Sequence, residues 1–292
     1  MTFSIAAFDP ASASWGVAVA SKFLAVGSAV PWGRAGAGAV ATQAAANLSY
    51  GPDGLDLLAE GMAAGEVIER LTTADRGRDH RQLGVVDARG GAATFTGGAC
   101  LDWAGGTAGE GFAAQGNVLT GPEVVDAVVA AYQRSAADRV GTAPARALAR
   151  RLVGALAAGD AAGGDRRGRQ SAALRVWKAG AAYGGTLDIA VDLRVDDHHD
   201  PVGELARLLD LHELYFGEPD PARLEPLEGE LAGQVAACLE RLGYPTRGGA
   251  GLPGALEAWA GTENFEERLV PGKLDPVVWR QLRRQAGAAR DA

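Results

Sequence analysis

The stretch TFSIAAFDPASASWGVAVASK (2–22) contains two short apolar runs that are separated by a turn-rich segment. The runs cover residues 2–8 and 15–20, and the Asp9–Pro10 pair between them is typical of a turn. Two further short runs follow, around 27–32 and 38–42. Connections this short allow only antiparallel pairing, because a parallel pair needs a crossover of a dozen or more residues. The first forty residues therefore predict the beginning of an antiparallel sheet.

Clusters of strands alternate with clusters of helices along the rest of residues 1–212. In chain order, the periodicity predicts a helical region from Pro52 to Leu71, strands at 81–87, 92–96 and near 112–115, helices at 122–133 and 144–158, strands at 171–178 and 186–193, and a helix at 201–211. This order is typical of antiparallel sheets flanked by helices and not of repeated βαβ units. We therefore expect an α+β fold built as a four-layer αββα sandwich.

The length of 292 residues exceeds that of one ordinary domain. A break is expected in YFGEPDPARLEP (215–226), and three amphipathic helices are expected after it, at 228–242, 253–261 and 275–286. We predict a first domain at 1–212, a linker at 213–226 and a small all-α domain at 227–292. A unit of this size is close to the minimum for independent folding, so we expect it to dock on the first domain.

The charge balance excludes several classes of function. The formal net charge is −8, from 28 Lys+Arg and 36 Asp+Glu, and no basic stripe with interleaved aromatic residues occurs. We therefore expect no binding to nucleic acid or to an anionic membrane surface.

The opening MTFSIAAFDP lacks the pattern of a secretory signal. Cys100 and Cys238 are interpreted as buried small hydrophobes in a reducing compartment, and a cytoplasmic protein without a cofactor is expected.

Thr2 is the first candidate for chemistry. Its small side chain permits removal of Met1, which would place a hydroxyl group and a free α-amine on one residue. With a pKa near 7.7–8.0, an α-amine is able to take the hydroxyl proton at neutral pH, so one residue supplies both nucleophile and base. Lys22 follows the returning strand, where its ammonium group would favour the neutral amine. The alternative interpretation is that Lys22 is a solvated charge at the end of a strand, without a role in the site.

Two loops contain further candidates. Asn117 follows Gln115 and Gly116, and two interpretations are open. In the first, the Asn117 amide and nearby backbone N–H groups form an oxyanion hole. In the second interpretation, Asn117 stabilises a tight turn. The segment GGDRRGRQS (163–171) resembles an anion cradle, in which Arg167 and Gln170 contact a substrate and Asp165 and Ser171 orient the amine. A solvated loop that leads into a strand is the alternative.

Three weaker patterns complete the set. The run Asp196–Asp200 mixes carboxylates and imidazoles as a divalent-metal site does, but Asp200 followed by Pro201 also predicts a helix start, and no metal is assigned. Thr96 is taken as a pocket residue together with Trp103, which core packing explains equally well. The glycines at 36–38 imitate a dinucleotide fingerprint but lie among hairpin strands without a βαβ unit.

The first domain resembles an uncharacterised bacterial family that is classed as N-terminal-nucleophile (Ntn) hydrolase-like. The segments that carry the resemblance, in order, are GVAVASKFLAVGSAVPW (16–32), GAVATQAAANLSYGPDGLDLL (38–58), RQLGVVDARG (81–90), TFTGGACLDWAG (94–105), GFAAQGNVLTGPEVV (111–125), AAGGDRRGRQSAALRV (161–176) and LRVDDHHDPVGEL (193–205). Similarity to Ntn hydrolases implies hydrolysis of an amide bond or acyl transfer. A resemblance of fold does not by itself establish such an activity.

The tail resembles a peptidoglycan-binding-like module of three helices. The motifs are LGY (242–244) before a glycine-rich turn, a helix with AL…W (255–259), and the closing G-x-L-D-x-x-x-W (272–279). In such modules these residues mostly build the core. A structural or oligomerisation role is therefore expected, with binding of a wall-derived fragment as the alternative.

These candidates combine into two readings of the chain. In the first, the protein is an Ntn-type amidohydrolase that cleaves a small polar amide, with Thr2 as nucleophile after removal of Met1. Lys22, Asp165 and Ser171 tune the amine, and Asn117 supports the oxyanion. The residues expected to contact substrate are Arg167, Gln170, Gln115 and Thr96. In the second reading, a non-catalytic Ntn-like scaffold binds a small metabolite or assembles with partner enzymes, and a homo-oligomer is compatible with either.

Overall fold

The computed structural model describes residues 2–135 and 144–288. The chain divides into two compact units, Met1–Leu209 and Asp210–Ala292. The first contains two sheets together with helices, and the second is mainly helical. The predicted α+β class and the helical C-terminal region are therefore confirmed. The linker and domain bounds at 212 and 226 stay a prediction, and so does docking of the tail on the first domain.

The ten strands described in the first unit form two antiparallel sheets. In chain order they are β1 (Thr2–Asp9), β2 (Ser14–Ser21), β3 (Pro31–Arg34), β4 (Gly38–Ala44), β5 (Arg81–Asp87), β6 (Ala92–Thr96), β7 (Gly105–Gly109), β8 (Phe112–Asn117), β9 (Ser171–Trp177) and β10 (Ile189–Val195). Six strands form one sheet in the order β10-β9-β2-β1-β8-β7. The other four form a second sheet in the order β3-β4-β5-β6. All pairings are antiparallel. The hairpins β1–β2 and β3–β4 form as their short connections predict, but they belong to different sheets and do not begin a single one.

Helices cover the sheets. Those of the first unit are α1 (Tyr50–Ala59), α2 (Ala64–Ala74), α3 (Glu123–Arg134), α4 (Pro144–Ala161) and α5 (Pro201–Phe216), the last of which continues into the second unit. Apolar residues of α1 and α2 pack on the four-stranded sheet around Val40. Those of α3 and α4 pack on the six-stranded sheet around Phe3 and Leu174. A third apolar cluster, which includes Ala6 and Val86, lies between the two sheets.

Alternation along β1 explains why this strand serves two cores. Phe3 and Ile5 belong to the cluster on the helix side of the sheet, whereas Ala6 belongs to the cluster between the sheets. Successive side chains of a strand point to opposite faces, so a strand buried on both faces reads as a nearly continuous apolar run. Both faces of β1 and β2 are buried, which accounts for the apolar runs at 2–8 and 15–20.

Two parts of the predicted element map differ from the structure. The helical region from Pro52 to Leu71 is two helices, because α1 ends in a Schellman motif at Gly61 (φ 89°). There the N–H of Gly61 donates to the carbonyl of Leu58, and that of Met62 donates to the carbonyl of Leu57. The edge strand β7 (GGTAG) was not predicted, because three glycines among five residues remove the apolar alternation that marks a strand.

The second unit has its own apolar core. Its helices are α6 (Gly229–Arg241), α7 (Gly251–Glu263) and α8 (Pro276–Ala288), and two short strands that were not predicted, β11 (Glu225–Pro226) and β12 (Lys273–Leu274), pair with each other. Trp259 and Leu274 lie in this core. A buried ion pair joins Arg268 to Asp275 at 2.7 Å. The motif residues Trp259, Leu274 and Asp275 therefore maintain the fold of the unit.

No helix in residues 2–135 and 144–288 combines the length and the apolar character that a membrane span requires.

Candidate functional site

Four polar side chains lie side by side at one end of the six-stranded sheet. Thr2, the first residue of β1, lies opposite Ser21 on β2 and opposite Asn117 on β8. Ser21 lies in turn opposite Ser171, the first residue of β9. All four are buried. Residues that face each other in antiparallel strands project to the same side of the sheet, so the four side chains form one polar row.

This row faces the four-stranded sheet. Thr2 and Ala6 are on the same face of β1, and Ala6 belongs to the cluster between the two sheets. A second polar row, made of Gln43, Gln82 and Thr96, crosses β4, β5 and β6 in register. Hydrogen bonds between the two rows show that they meet. The space between the sheets is therefore apolar along most of its length and polar at this end.

Gln82 connects the two sheets through its amide nitrogen. The side chain is completely buried. Its Nε2 lies within donor distance of the carbonyl oxygens of Gly116 (2.7 Å) and Gly105 (3.2 Å), and of Oγ1 of Thr96 (2.9 Å). Because carbonyl oxygens only accept hydrogen bonds, the amide of Gln82 has a single orientation that satisfies these contacts.

The orientation of Gln82 determines those of its neighbours. Its Oε1 accepts from Nε2 of Gln43 (2.8 Å) and from Nδ2 of Asn117 (2.9 Å). Nε2 of Gln43 also donates to the carbonyl oxygen of Thr2 (3.2 Å). Each amide group is thus oriented by the next one, and the start of β1 is tied to the second sheet.

A second set of bonds ties β1 to the second sheet one pleat further along. The Ser4 hydroxyl donates to Oε1 of Gln43 (2.6 Å) and accepts from Nε2 of Gln115 (2.7 Å). Gln115 was predicted to contact substrate, as was Thr96. The structure places the polar groups of both residues in this buried network, where Gln115 bonds to Ser4 and Thr96 bonds to Gln82.

The hydroxyl group of Thr2 lies 3.0 Å from that of Ser21, and either oxygen is able to donate. Only 6% of the Thr2 surface is exposed. Met1 falls outside the described residues, so its removal stays a prediction. Thr2 therefore occupies the polar end of the space between the sheets, and its immediate partner is a serine that sequence reasoning did not select.

The loop that contains Asp165 crosses the end of the sheet where β1 begins. The backbone of Asp165 pairs with Leu119, just after β8. Its Oδ2 accepts from the backbone N–H of Lys22, just after β2 (2.7 Å). Because β1 lies between β8 and β2, Asp165 spans the amino end of β1. Its Oδ1 accepts from the backbone N–H of Arg167 (2.8 Å), whose guanidinium group lies 3.4 Å from Oδ2.

Ser171 and Asp165 both hold the loop 22–26 that follows β2. The Ser171 hydroxyl accepts from the backbone N–H of Val26 (3.1 Å) and donates to the carbonyl oxygen of Phe23. The side chain of Lys22 is exposed. Among the described residues, its ammonium group has neither an ion pair nor a hydrogen bond.

A cleft of about 720 Å³ borders Lys22. Its walls include Asp165, Arg169, His198 and His199, but not Thr2. The backbone N–H of His198 donates to the carbonyl of Gln170 (2.7 Å). The segments 163–171 and 196–200, which the sequence indicated as separate candidates, therefore meet in one cleft.

The run Asp196–Asp200 functions as a helix start in the structure. Oδ1 of Asp200 accepts from the backbone N–H of Gly203 (3.3 Å), and α5 begins at Pro201. This bond is an N-cap contact. Within the described ranges, no three His, Cys, Asp or Glu side chains are grouped so as to hold a metal ion.

Strained backbone occurs at the same end of the sheets. Ala25 (φ 53°) follows β2, Ala44 (φ 68°) ends β4, and Val118 (φ 51°) follows β8. The left-handed region costs a residue with a Cβ about 1 kcal/mol, and a β-branched residue there is an outlier. Val118 is held by its N–H bond to the carbonyl of Leu101 (2.9 Å). Strain of this kind concentrates at functional sites, but it is not confined to this end of the sheets, since Ala13 (φ 47°) lies in the turn between β1 and β2 at the opposite end.

Sequence reasoning missed Ser4, Ser21, Gln43 and Gln82. A signal for the two glutamines was available, since each interrupts a short run of apolar and small residues, GAVATQA (38–44) and RQLGVVD (81–87). Buried side-chain amides need hydrogen-bond partners. Two such glutamines in adjacent strands therefore indicate a buried polar network.

The structure decides between the two interpretations of Trp103 and corrects the expectation for Cys100. Trp103 packs, partly buried, against the cluster on the helix side of the six-stranded sheet, so it belongs to core packing. Cys238 is buried as predicted, but Cys100 is only half-buried, and its thiol donates to the carbonyl of Arg81 (3.3 Å). Burial raises the pKa of the Cys100 thiol.

Gly84 makes room for the network, and replacing it by alanine is expected to destabilise the protein by about 2 kcal/mol. A Cβ at this position would lie 2.0 Å from Oε1 of Gln115, and Gln115 is held by its bond to Ser4 (2.7 Å). Thermal melts measure the effect. Gly154→Ala is the control, because its Cβ meets nothing within 4 Å on α4, and there alanine stabilises by roughly 0.5–1 kcal/mol. Equal melting temperatures for the two variants would contradict the packing described.

A second cavity, of about 510 Å³, borders Asp75 and Tyr50. Oδ2 of Asp75 accepts from Nε of Arg81 (2.9 Å) and from the Tyr50 hydroxyl (2.9 Å), and Oδ1 accepts from the backbone N–H of Gly77 (2.7 Å). The bond from Arg81 and that from Gly77 hold the pKa of Asp75 well below its usual range. Burial and the adjacent Asp75 raise the pKa of Tyr50.

Asp75→Asn is expected to lower the free energy of unfolding by about 2 kcal/mol at neutral pH, because bonds to an ionised group are lost. A lowered pKa contributes stability above the unfolded value of about 3.9, and this contribution disappears as pH falls through the lower folded value. The difference between wild type and variant should therefore shrink below about pH 4. Urea unfolding at pH 7 and pH 3 measures it. Asp56→Asn, at an exposed ion pair with Arg34, is the control, and a difference that grows in acid would contradict this account.

Comparison with known proteins places the chain in a family. Residues 2–205 match the model described as "Family of unknown function (DUF1028)", and the chain belongs to this family. Residues 215–282 match a second model, "Putative peptidoglycan binding domain". The chain is similar to a crystal structure of the DUF1028 protein SPO2555 from Silicibacter pomeroyi, with 31% identity, a TM-score of 0.63, and coverage of 80% of this chain and 92% of that one. No curated protein matches the chain.

Proposed function

We propose that the first unit is an Ntn-type amidohydrolase with Thr2 as nucleophile in a chain from which Met1 has been removed. The position of Thr2 carries this proposal. It begins a central strand of the six-stranded sheet, it faces the second sheet, and its carbonyl and hydroxyl groups are held by Gln43 and Ser21. A nucleophile on a rigid strand is better positioned than one on a loop.

The proposed fold is the four-layer αββα sandwich of Ntn hydrolases. Support comes from the three apolar clusters. One lies between the sheets, one between the four-stranded sheet and α1 and α2, and one between the six-stranded sheet and α3, α4 and the first half of α5. In this arrangement the polar end of the space between the sheets is the active site.

The proposed reaction proceeds in two steps. The α-amine of Thr2 takes the hydroxyl proton, Oγ1 bonds to the amide carbon, and the amine product leaves with that proton. A water molecule, deprotonated by the same amine, then cleaves the ester and regenerates Thr2. Nδ2 of Asn117 donates one N–H to Gln82, and its second N–H is proposed to stabilise the oxyanion.

The neighbours of Thr2 are proposed to tune its amine. Asp165 spans the amino end of β1, and the carboxylate would stabilise the protonated amine between proton transfers. Lys22 acts in the opposite direction, since a nearby ammonium group favours the neutral amine. Ser171 contributes by holding the loop that carries Lys22. Arg167 and Gln170 are proposed to hold an anionic group of a small polar amide.

The experiment is a hydrolysis screen on protein whose N terminus is defined by intact-mass measurement. Protein that begins at Thr2 is expected to hydrolyse members of a panel of small amides, and protein that retains Met1 is expected to be inactive, because its Thr2 nitrogen is an amide without a basic lone pair. Equal activity of the two forms would exclude the α-amine as base. Binding of an amide by both forms without turnover would favour the non-catalytic scaffold.

For the second unit we propose a structural role, in its own fold or in assembly. Three motif residues that carry its resemblance to peptidoglycan-binding modules are buried: Trp259 and Leu274 lie in the apolar core, and Asp275 accepts from the guanidinium group of Arg268. They are therefore used in packing.

A further inference from the structure

Two large apolar side chains lie exposed beside the candidate site. Phe23 and Leu24 follow Lys22 and have 54% and 60% of their surface accessible. Ser21 lies opposite Thr2, and the two residues of chain from Ser21 to Phe23 span at most about 7 Å. We call Phe23 and Leu24 the apolar ledge.

The exposure of the ledge is imposed by buried groups. The carbonyl of Phe23 accepts from the hydroxyl of Ser171, which is completely buried, and the N–H of Lys22 donates to the carboxylate of Asp165, which is also buried. Buried polar groups cost free energy unless they are bonded. Ser171 and Asp165 are used here to hold the backbone of residues 22–24, whose side chains are exposed.

Backbone strain adjoins the ledge. Ala25 has a φ of 53°, and its N–H donates to the carbonyl of Asp196 (2.9 Å). Strain that the surrounding structure maintains is typical of ligand-binding segments.

The surroundings of the ledge are polar and of a size suited to a small molecule. The cleft of about 720 Å³ begins at Lys22, and small-ligand sites usually measure about 300–1,000 Å³. Arg167, whose guanidinium group is half-exposed, belongs to the loop that lines this cleft. Oδ2 of Asp165 accepts from the backbone N–H of Lys22 (2.7 Å) and lies 3.4 Å from the guanidinium group of Arg167, so a cation lies beside the backbone that carries the ledge.

The geometry points to an N-acyl amino acid as the substrate, with its acyl chain on the apolar ledge and its carboxylate held by Arg167. This inference rests on the proposed function and adds an apolar group to the polar amide. In the reaction, Oγ1 of Thr2 takes the acyl group as the C–N bond breaks, and the free amino acid leaves with the transferred proton. Water then releases the carboxylic acid.

Binding is tested on the full chain with Thr2→Ala, which is not expected to turn over ligand. The probes are N-acetyl-, N-butanoyl-, N-hexanoyl- and N-octanoylglycine in isothermal titration calorimetry. A fully buried methylene contributes about 0.8 kcal/mol, roughly a fourfold change in affinity, and contact on one side should give about twofold for each methylene. Affinity is therefore expected to rise roughly 50-fold from the acetyl to the octanoyl compound.

Two further variants locate the effect. Phe23→Ser with Leu24→Ser is expected to remove the gain with chain length. Leu187→Ser is the matched control, because Leu187 is equally exposed (64%) but lies between β9 and β10 at the other end of the sheet, and it should leave the gain unchanged. A flat series, or a gain that survives the double substitution, would overturn the inference. So would a ledge covered by a second copy, which sedimentation would detect as a dimer that the double substitution dissociates.

The experiments distinguish an error in the proposed binding role of the ledge from an error in the proposed hydrolase function. If processed wild-type protein hydrolyses short polar amides at rates that do not depend on chain length, the ledge does not bind the acyl chain, but Thr2 is still supported as the nucleophile. If binding depends on chain length and the wild type shows no turnover, the ledge is supported as a binding site and the hydrolase function is excluded.

Discussion

Thr2→Ala is expected to lower turnover of an amide substrate by roughly 10⁴-fold or more, since loss of a covalent nucleophile has effects of this size. The substitution removes Oγ1 while the α-amine, the strand pairing with Ser21 and the bond from Gln43 to the Thr2 carbonyl remain possible. Thr2→Ser keeps a hydroxyl group and should retain part of the activity. Steady-state kinetics on processed wild type and both variants measure the effect.

The controls separate chemistry from stability. Thr2→Ala loses the buried contact with the hydroxyl of Ser21, and a hydrogen bond is worth about 1 kcal/mol. A shift of a few degrees in melting temperature is therefore expected, far too small to explain the kinetic loss. Intact mass must show that Met1 has been removed from all three proteins. If Thr2→Ala turns over a substrate as fast as wild type, Thr2 is not the nucleophile.

Gln82→Leu is expected to have the largest effect on stability, about 4 kcal/mol. Leucine has similar size, but it removes the donor to the carbonyl oxygens of Gly105 and Gly116 and the acceptor of the Asn117 amide. Nε2 of Gln43 loses its bond to Gln82 and keeps its bond to the carbonyl oxygen of Thr2. Each buried polar group left unsatisfied costs about 1–3 kcal/mol, and losses within one network are not additive. Urea unfolding should report the loss, and the melting temperature should fall by roughly 10 °C.

The control for this substitution is Gln234→Leu on α6. Gln234 is exposed, and its amide bonds only to Glu230 (3.0 Å) among the described residues, so a change within about 0.5 kcal/mol is expected. A Gln82→Leu protein as stable as the Gln234→Leu protein would show that the buried network does not join the two sheets.

The sequence determined the local structure of the first unit well. The runs at 2–8 and 15–20, the hairpin at 81–87 and 92–96, and the helices at 122–133 and 144–158 all correspond to elements with close bounds. Each depends on a pattern within a few residues, either a short turn between apolar runs or a helical period. The antiparallel pairing also followed, because neighbouring strands have no room for a crossover.

The composition of the candidate site required the tertiary structure. Thr2, Asn117, Asp165 and Ser171 were selected one by one from the sequence, and only the strand order β9-β2-β1-β8 places three of them in one row and the Asp165 loop across it. The sequence indicated that β1 and β2 form a hairpin, but it contained no information that β8 and β9 would flank this hairpin. Strand order is decided by burial over the whole fold and not by local pattern.

The buried amide network was decided by tertiary structure alone. Gln43 and Gln82 each interrupt a short apolar run, which indicates buried amides, but the glutamines of the network are satisfied by groups that are distant in sequence, such as the carbonyl of Gly116, 34 residues from Gln82. A hydrogen-bond partner becomes available only when two sheets stack face to face, so a local pattern does not reveal which groups will be bonded. The apolar ledge was also decided by the tertiary structure, because exposure of Phe23 and Leu24 depends on which elements pack against them.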